Sequence, residues 1–209
     1  MIIVGLLSLE PVDWRKHHQR YSRVGADIVM ESITIVALTG FMGAGKSTVG
    51  RALADLLGCE FFDLDDEIER AHGQRIRDIF RVHGEGSFRE IETTTLRKLL
   101  AGVSVIGVIA LGGGTFIQRC NVDLLKTSGV RVVSLEAPIQ EMFQRCQTDM
   151  SADDNSRPLA SDFEAFCALY EERLPQYHTA ELIVNTGGRT TEEVAREIVH
   201  GLQLVAGGC

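Results

Sequence analysis

The sequence predicts one α/β domain with a central parallel sheet flanked by helices, on three observations. The apolar segment Ile33–Leu38 runs into a glycine-rich turn and then into a helix from Lys46 to Leu57. Val103–Leu111 is a nearly unbroken apolar run, as expected of a strand covered on both faces. Further apolar stretches at 130–135 and 181–184 alternate with helical periodicity, the pattern of strand–helix–strand units. A length of 209 residues suits one such domain and is marginal for two.

Residues 1–32 precede the first strand. Met1–Leu9 is apolar but has no basic region before it and Glu10-Pro11 after it, which does not fit a secretory signal. Asp13, Arg15, Lys16, His17, His18, Arg20 and Arg23 make the next stretch polar. We read 1–32 as a poorly ordered, dispensable extension, with Met30 as an alternative start, and 33–209 as the domain.

Gly40-Phe41-Met42-Gly43-Ala44-Gly45-Lys46-Ser47, followed by Thr48, matches a phosphate-binding loop at every fixed position. Glycine lets the backbone curl until successive N–H groups point at one phosphate, where a side chain at Gly43 or Gly45 would obstruct the approach. Lys46 can then reach the β- and γ-phosphates, and the Ser47 hydroxyl can ligate a bridging Mg²⁺. Val49, Leu53, Leu56 and Leu57 fall on one face of the following helix, and Gly58 is its expected stop. A strand feeding a helix N-terminus aims the peptide dipoles at the phosphates.

Glu60–Asp63 reads as a short strand beside the first, leading into Leu64-Asp65-Asp66. In extended backbone Asp63 and Asp65 would share a face at the carboxyl edge of the sheet. There Asp63 could hold the metal and Asp65 accept a proton from an attacking hydroxyl; by position alone a solvated acidic turn is the better explanation of the pair. Helices are expected at 66–71 and 76–83. Gly84-Glu85-Gly86 breaks the run, and Ser87 with Glu90 forms a capping box opening a new helix. Arg89 would then lie in a first turn, where the dipole disfavours a cation unless an anion compensates, with Glu92 near enough to orient it.

The Val103–Leu111 strand ends in Gly112-Gly113-Gly114, which would let a ligand press against backbone. It contains no Asp, which leaves the metal role to Asp63. A helix around 122–127 leads to the strand 130–135, and Pro138 opens a helix that carries Arg145. Thr148–Ser156 is polar, acidic and aperiodic, a candidate lid reaching to about residue 160 and closed by Arg157-Pro158-Leu159. Ser161 and Glu164 suggest a second capping box, on a helix that Pro175 would stop at Leu174, with Arg173 in its last turn. After the last strand come Thr186–Arg189 and a final helix capped by Thr190 and Glu193.

Composition excludes several classes. Net charge is −8, so a sequence-independent grip on nucleic acid or an anionic membrane has no electrostatic basis, and a phosphate site must collect its arginines locally. No apolar run approaches the roughly 20 residues of a membrane span. The five cysteines are scattered without a Cys-x-x-Cys pair, which fits reduced thiols in a cytoplasm, and the six histidines show no metal spacing.

The ordered set of motifs resembles one family over residues 33 to about 205: Gly-Phe-Met-Gly-Ala-Gly-Lys-Ser-Thr-Val-Gly, Phe-Phe-Asp-Leu-Asp-Asp-Glu-Ile-Glu, Ile-Phe-x-x-x-Gly-Glu-x-x-Phe-Arg-x-x-Glu, the triple glycine, Arg-Pro-Leu and Arg-x-Pro-x-Tyr. These blocks resemble the shikimate kinases. The resemblance implies a P-loop kinase fold like that of the nucleoside monophosphate kinases, with a lid. It implies ATP- and Mg²⁺-dependent phosphorylation of the shikimate 3-hydroxyl in aromatic amino-acid biosynthesis, by a cytoplasmic monomer with no nucleic-acid or membrane partner. By position it makes Asp65 the base, with Lys46 and Arg157 acting on the transferring phosphoryl. Asp63 and Ser47 would hold the metal. Arg89 and Arg173 would clamp the substrate carboxylate bidentately, and Gly112, Gly113 and Gly114 would line the shikimate ring. Gly43, Ala44, Gly45, Lys46, Ser47, Thr48 and Arg157 would bind the phosphates, and Arg145 and Arg189 would flank the adenine.

Two features depart from a minimal member: the Arg145–Arg157 segment is longer than expected, and residues 1–32 have no counterpart. Two rivals stand beside this reading. Another small-molecule kinase of the fold, acting on gluconate or nucleoside monophosphates, need not keep both Arg89 and Arg173. A nucleotide switch is disfavoured because Asp55-Leu-Leu-Gly58 lies inside a helix and no Asn-Lys-x-Asp occurs.

Overall fold

The structure is a computed structural model that describes residues 34–103, 106–148 and 162–204. In chain order it comprises β1 (Thr34–Thr39), α1 (Lys46–Leu57), β2 (Glu60–Asp63), α2 (Leu64–His72), α3 (Ile76–Gly102), β3 (Ile106–Ala110) and a 3₁₀ turn (Thr115–Ile117). There follow α4 (Arg119–Thr127), β4 (Arg131–Glu136), α5 (Ile139–Thr148), α6 (Phe163–Tyr177), β5 (Leu182–Asn185) and α7 (Thr191–Gly201).

All five strands are parallel, in the order β2-β3-β1-β4-β5. Ala37 at the centre of β1 pairs with Ile109 on one side and Val132 on the other. Ile35, Val36, Ala37 and Leu38 are buried, which is why this stretch is apolar without alternation. Because β1 has β3 and β4 as its two neighbours, the chain changes winding direction there, and the crevice beyond its carboxyl end is where open α/β sheets bind ligands. The loop 40–45 occupies that crevice.

Several expectations are corrected. Asp63 and Asp65 do not lie on one extended strand, because β2 ends at Asp63 and Asp65 stands in the first turn of α2. Nor does β2 lie beside β1: β3 separates them. The expected break is present but is confined to Gly84, whose φ of 76° and ψ of 173° are non-helical and divide α3 into two helical stretches across a kink. Ser87 is therefore an interior helical residue and not a cap, and Arg89 lies in the second turn after the kink. The second stretch resumes directly after Gly84, because a single glycine with positive φ is enough to redirect the chain. Val103 belongs to the cap of α3, so the strand starts at Ile106, among residues following the undescribed 104–105. Asp162, not Ser161, caps α6: its Oδ1 accepts the Ala165 N–H at 3.0 Å. The helix also runs through Pro175 to Tyr177, since proline near a helix end removes one hydrogen bond without breaking the last turn.

Phe41, at the start of the loop, is 1% exposed and lies edge-on to Phe166 and Tyr170 of α6, with centroids 4.8 and 5.4 Å away. Such pairs contribute about 0.5–1.5 kcal/mol each beyond burial and fix the loop against that helix. Among the described residues no helix is long and apolar enough to cross a membrane. Cys59, Cys120, Cys146 and Cys167 are free thiols.

Candidate active site

The loop acquires its curl from three glycines with positive φ, Gly40 (134°), Gly43 (78°) and Gly45 (90°). Two of them also touch backbone: a Cβ on Gly43 would lie 2.2 Å from Met142 O, and one on Gly40 would lie 2.3 Å from Leu135 O. Gly45 caps α1 without a side-chain hydrogen bond, so the first amides of that helix are left for a ligand. Ala44 is fully buried, and its amide donates within the loop to Phe41 O at 3.2 Å. Lys46 Nζ donates to Gly40 O and Phe41 O, both at 3.0 Å, which seats the ammonium on the loop.

Ser47 Oγ donates to Asp63 Oδ2 at 2.6 Å, while Asp63 Oδ1 accepts the Asp65 N–H at 3.1 Å. One carboxylate thus caps α2 and joins it to the helix that follows the phosphate loop. A hydroxyl and a carboxylate in contact are the hard oxygen donors that Mg²⁺ takes from protein when phosphates and water supply the rest. Among the described residues no group of three or more His, Cys, Asp or Glu side chains gathers elsewhere to compete for a cation.

Two glycines of the run after β3 act as seats for side chains. A Cβ on Gly112 would come within 2.9 Å of Asp65 Oδ1, and a Cβ on Gly114 within 2.7 Å of Arg89 Nη2. Gly113 is different, for its Cβ would meet only ordinary contacts at 3.9 and 4.0 Å. Arg89 Nη1 donates to both oxygens of Glu92, at 3.1 and 3.3 Å, and Nη2 to Glu85 at 3.2 Å. Glu92 is 1% exposed and its Oε1 also accepts the Thr115 hydroxyl at 2.7 Å. Asn121 Nδ2 in turn donates to Thr115 O at 3.2 Å. The Arg89 Nε–H is buried without a partner. An orphaned buried donor costs about 1–3 kcal/mol, which an anionic ligand at that place would offset.

Arg173 approaches the same turn from α6, with Nη1 3.4 Å from Gly113 O. Tyr177, on the same helix, donates its hydroxyl to that carbonyl at 2.6 Å. Lys46, Ser47, Asp63, Asp65, Arg89, Glu92, the three glycines and Arg173 all line one cavity of about 900 Å³. Phe80 and Phe88, stacked at 4.3 Å, supply part of its apolar wall.

Arg145 borders both this cavity and a second of about 240 Å³, which Gly45, Thr48, Thr186, Arg189 and Val194 also line. It donates to Gly43 O at 3.1 Å and Thr186 Oγ1 at 3.3 Å and pairs with Glu141. Arg189 donates to Asn185 O at 3.0 Å and pairs with Glu197. Two arginines thus edge a narrow slot beside the start of α1. Arg157 and the expected lid lie outside the described residues, except Thr148 at the end of α5. Thr115, Glu85 and Tyr177 are site residues that sequence reasoning did not single out. For Tyr177 the signal was its four-residue spacing from Arg173, and for Glu85 its four-residue spacing from Arg89; Thr115 becomes a neighbour of the site only through folding.

A family model described as Shikimate kinase matches residues 42–203. The Shikimate kinase of Halorhodospira halophila is 43% identical over 172 residues, covering 80% of this chain and 93% of that protein. That of Thermus thermophilus is 42% identical over 172 residues, covering 81% and 90%. Among solved structures, shikimate kinase from Acinetobacter baumannii in complex with shikimate is 35% identical, with a TM-score of 0.72 and coverage of 83% of this chain and 94% of that one. The motifs, the parallel sheet and the single cavity joining a phosphate loop to two arginines therefore agree with the comparisons, and the chain belongs to the shikimate kinase family.

Proposed function

We propose that the protein transfers the γ-phosphoryl group of ATP to the 3-hydroxyl of shikimate, giving shikimate 3-phosphate and ADP on the route to the aromatic amino acids. Beyond family membership, one observation carries the reading: Asp65 and Arg89 are seated on two glycines of a single turn, inside the cavity that also holds the phosphate loop. A carboxylate near an anionic phosphoryl, with a guanidinium whose buried Nε–H lacks a partner, suits a substrate that carries both a hydroxyl and a carboxylate.

The amides of the loop and of the start of α1 hold the phosphates, and Lys46 stabilises charge on the transferring group. Ser47 and Asp63 would hold Mg²⁺, which would supply charge neutralisation on the phosphates. Asp65 orients the acceptor hydroxyl and accepts its proton as the bond to phosphorus forms. Arg89 and Arg173 grip the carboxylate, and Gly112, Gly113 and Gly114 lie against the ring. Arg145 and Arg189 flank the adenine in the narrower slot, and Arg157, which lies outside the described residues, acts on the phosphates. The protein acts as a cytoplasmic monomer on small molecules, without nucleic acid or membrane.

A coupled ADP-release assay tests this. Turnover is expected with shikimate, and not with gluconate or nucleoside monophosphates; the reverse preference would assign the fold to another small-molecule kinase. Asp65→Asn is expected to lower kcat by about 10²–10⁴-fold with ATP affinity nearly unchanged. A variant that turns over like the parent would remove Asp65 as base.

A further inference from the structure

The Arg-x-Pro-x-Tyr stretch contributes Arg173 to the proposed reaction, whereas its tyrosine has no part in it. Four residues apart in α6, Arg173 and Tyr177 stand one turn apart on one face. Tyr177 is 1% exposed. A hydroxyl has one proton and two lone pairs. Here the proton goes to Gly113 O at 2.6 Å, and the Arg173 charge lies close enough to the phenol to act on its titration. The Gly113 carbonyl also accepts Arg173 Nη1 at 3.4 Å, so one carbonyl gathers both side chains. Burial pushes the phenol up to about 12, against a smaller opposing pull from Arg173, so it remains a neutral donor over the whole working range.

The two clamp arginines are held by different chemistry. Arg89 is paired with the carboxylates of Glu92 and Glu85, which orient it and also offset its charge. Among the described residues the acceptor of Arg173 is the neutral oxygen of Gly113, which the Tyr177 hydroxyl also engages. A neutral oxygen orients a guanidinium without offsetting its charge.

We propose that Tyr177 is a positioning residue for carboxylate recognition: its phenol holds the Arg173 guanidinium and the Gly113 peptide in one orientation, so that Arg173 meets the substrate carboxylate with its charge uncompensated. This rests on the shikimate kinase reading, and the parent enzyme, assayed first with shikimate, tests that reading separately. Tyr177→Phe removes one oxygen and keeps the ring. Its KM for shikimate is expected to rise roughly five- to tenfold with KM for ATP at the parent value, as for the loss of one hydrogen bond to a charged group. Its binding preference for shikimate over the uncharged carboxamide analogue should fall by a similar factor. In an Arg173→Lys background the same change should add little, because the group it positions is already gone. Thermal unfolding followed in parallel separates a packing role: a lowered Tm with unchanged shikimate KM overturns the proposal. So does equal weakening of acid and carboxamide, or full additivity with Arg173→Lys.

Discussion

At the scale of single residues, the three glycines after β3 do different work, although the sequence presents them as equivalent. Gly112 and Gly114 leave room for Asp65 and Arg89, whereas Gly113 presses on nothing in the protein. In both seats the displaced atom is the end of a side chain, so a methyl group moves the functional group more than it harms the fold. Gly112→Ala is therefore expected to lower kcat, through Asp65, and Gly114→Ala to raise KM for shikimate by about tenfold or more, through Arg89. Both should keep the parent affinity for ATP. Gly113→Ala weakens shikimate only if the ring lies against that backbone. Steady-state kinetics on the three variants, varying each substrate in turn, separates these outcomes; a uniform effect on all three would mean that the turn tolerates no side chain for reasons of its own conformation. The Arg89–Glu92–Thr115–Asn121 chain of hydrogen bonds explains how a buried carboxylate is tolerated, since both its oxygens are occupied by donors.

At the scale of elements, β2 and α1 are locked by a glycine of a different kind. Gly50 lies inside α1, where alanine would ordinarily favour the helix by about 0.5–1 kcal/mol. A Cβ there would lie 2.4 Å from the Phe61 ring of β2, with the ring also beneath the Arg51 guanidinium at 5.2 Å. Overpacking of this sort costs about 1–3 kcal/mol. Gly50→Ala is accordingly expected to lower Tm by roughly 2–10 °C, against the direction that helix propensity alone gives. It should also weaken Mg²⁺-dependent turnover, because β2 carries Asp63 to Ser47. A Tm at or above that of the parent would show that Phe61 moves aside freely. α6 is the other element with two duties: Phe166 and Tyr170 pack on Phe41 of the phosphate loop, while Arg173 and Tyr177, further along, reach the glycine turn.

At the scale of the whole molecule, the strand order decides which motifs can meet. β1 delivers the phosphate loop, and its neighbour β3 delivers the glycine turn beside it at the same edge. β2 pairs with β3 and ends level with it, Asp63 opposite Ala110, which brings the acidic pair to the same rim. These elements lie within residues 34–185, and the family match covers residues 42–203. A chain starting at Met30 is expected to fold and to phosphorylate shikimate with parental kcat and KM. A truncated chain that unfolds, or loses turnover, would give the leader a structural duty.

The sequence by itself determined the α/β class, the phosphate loop, the helix from Lys46 to Leu57, the strand from Glu60 to Asp63 and the order of motifs that carries the resemblance. These are local patterns: glycine spacing, apolar periodicity and caps are decided by residues close along the chain. Tertiary structure decided what depends on distant parts of the chain. It put β3 between β1 and β2. It also turned two glycines into seats for Asp65 and Arg89, and set a tyrosine against the Gly113 carbonyl. Those outcomes rest on contacts between residues tens of positions apart, for which a single sequence holds no periodic signal.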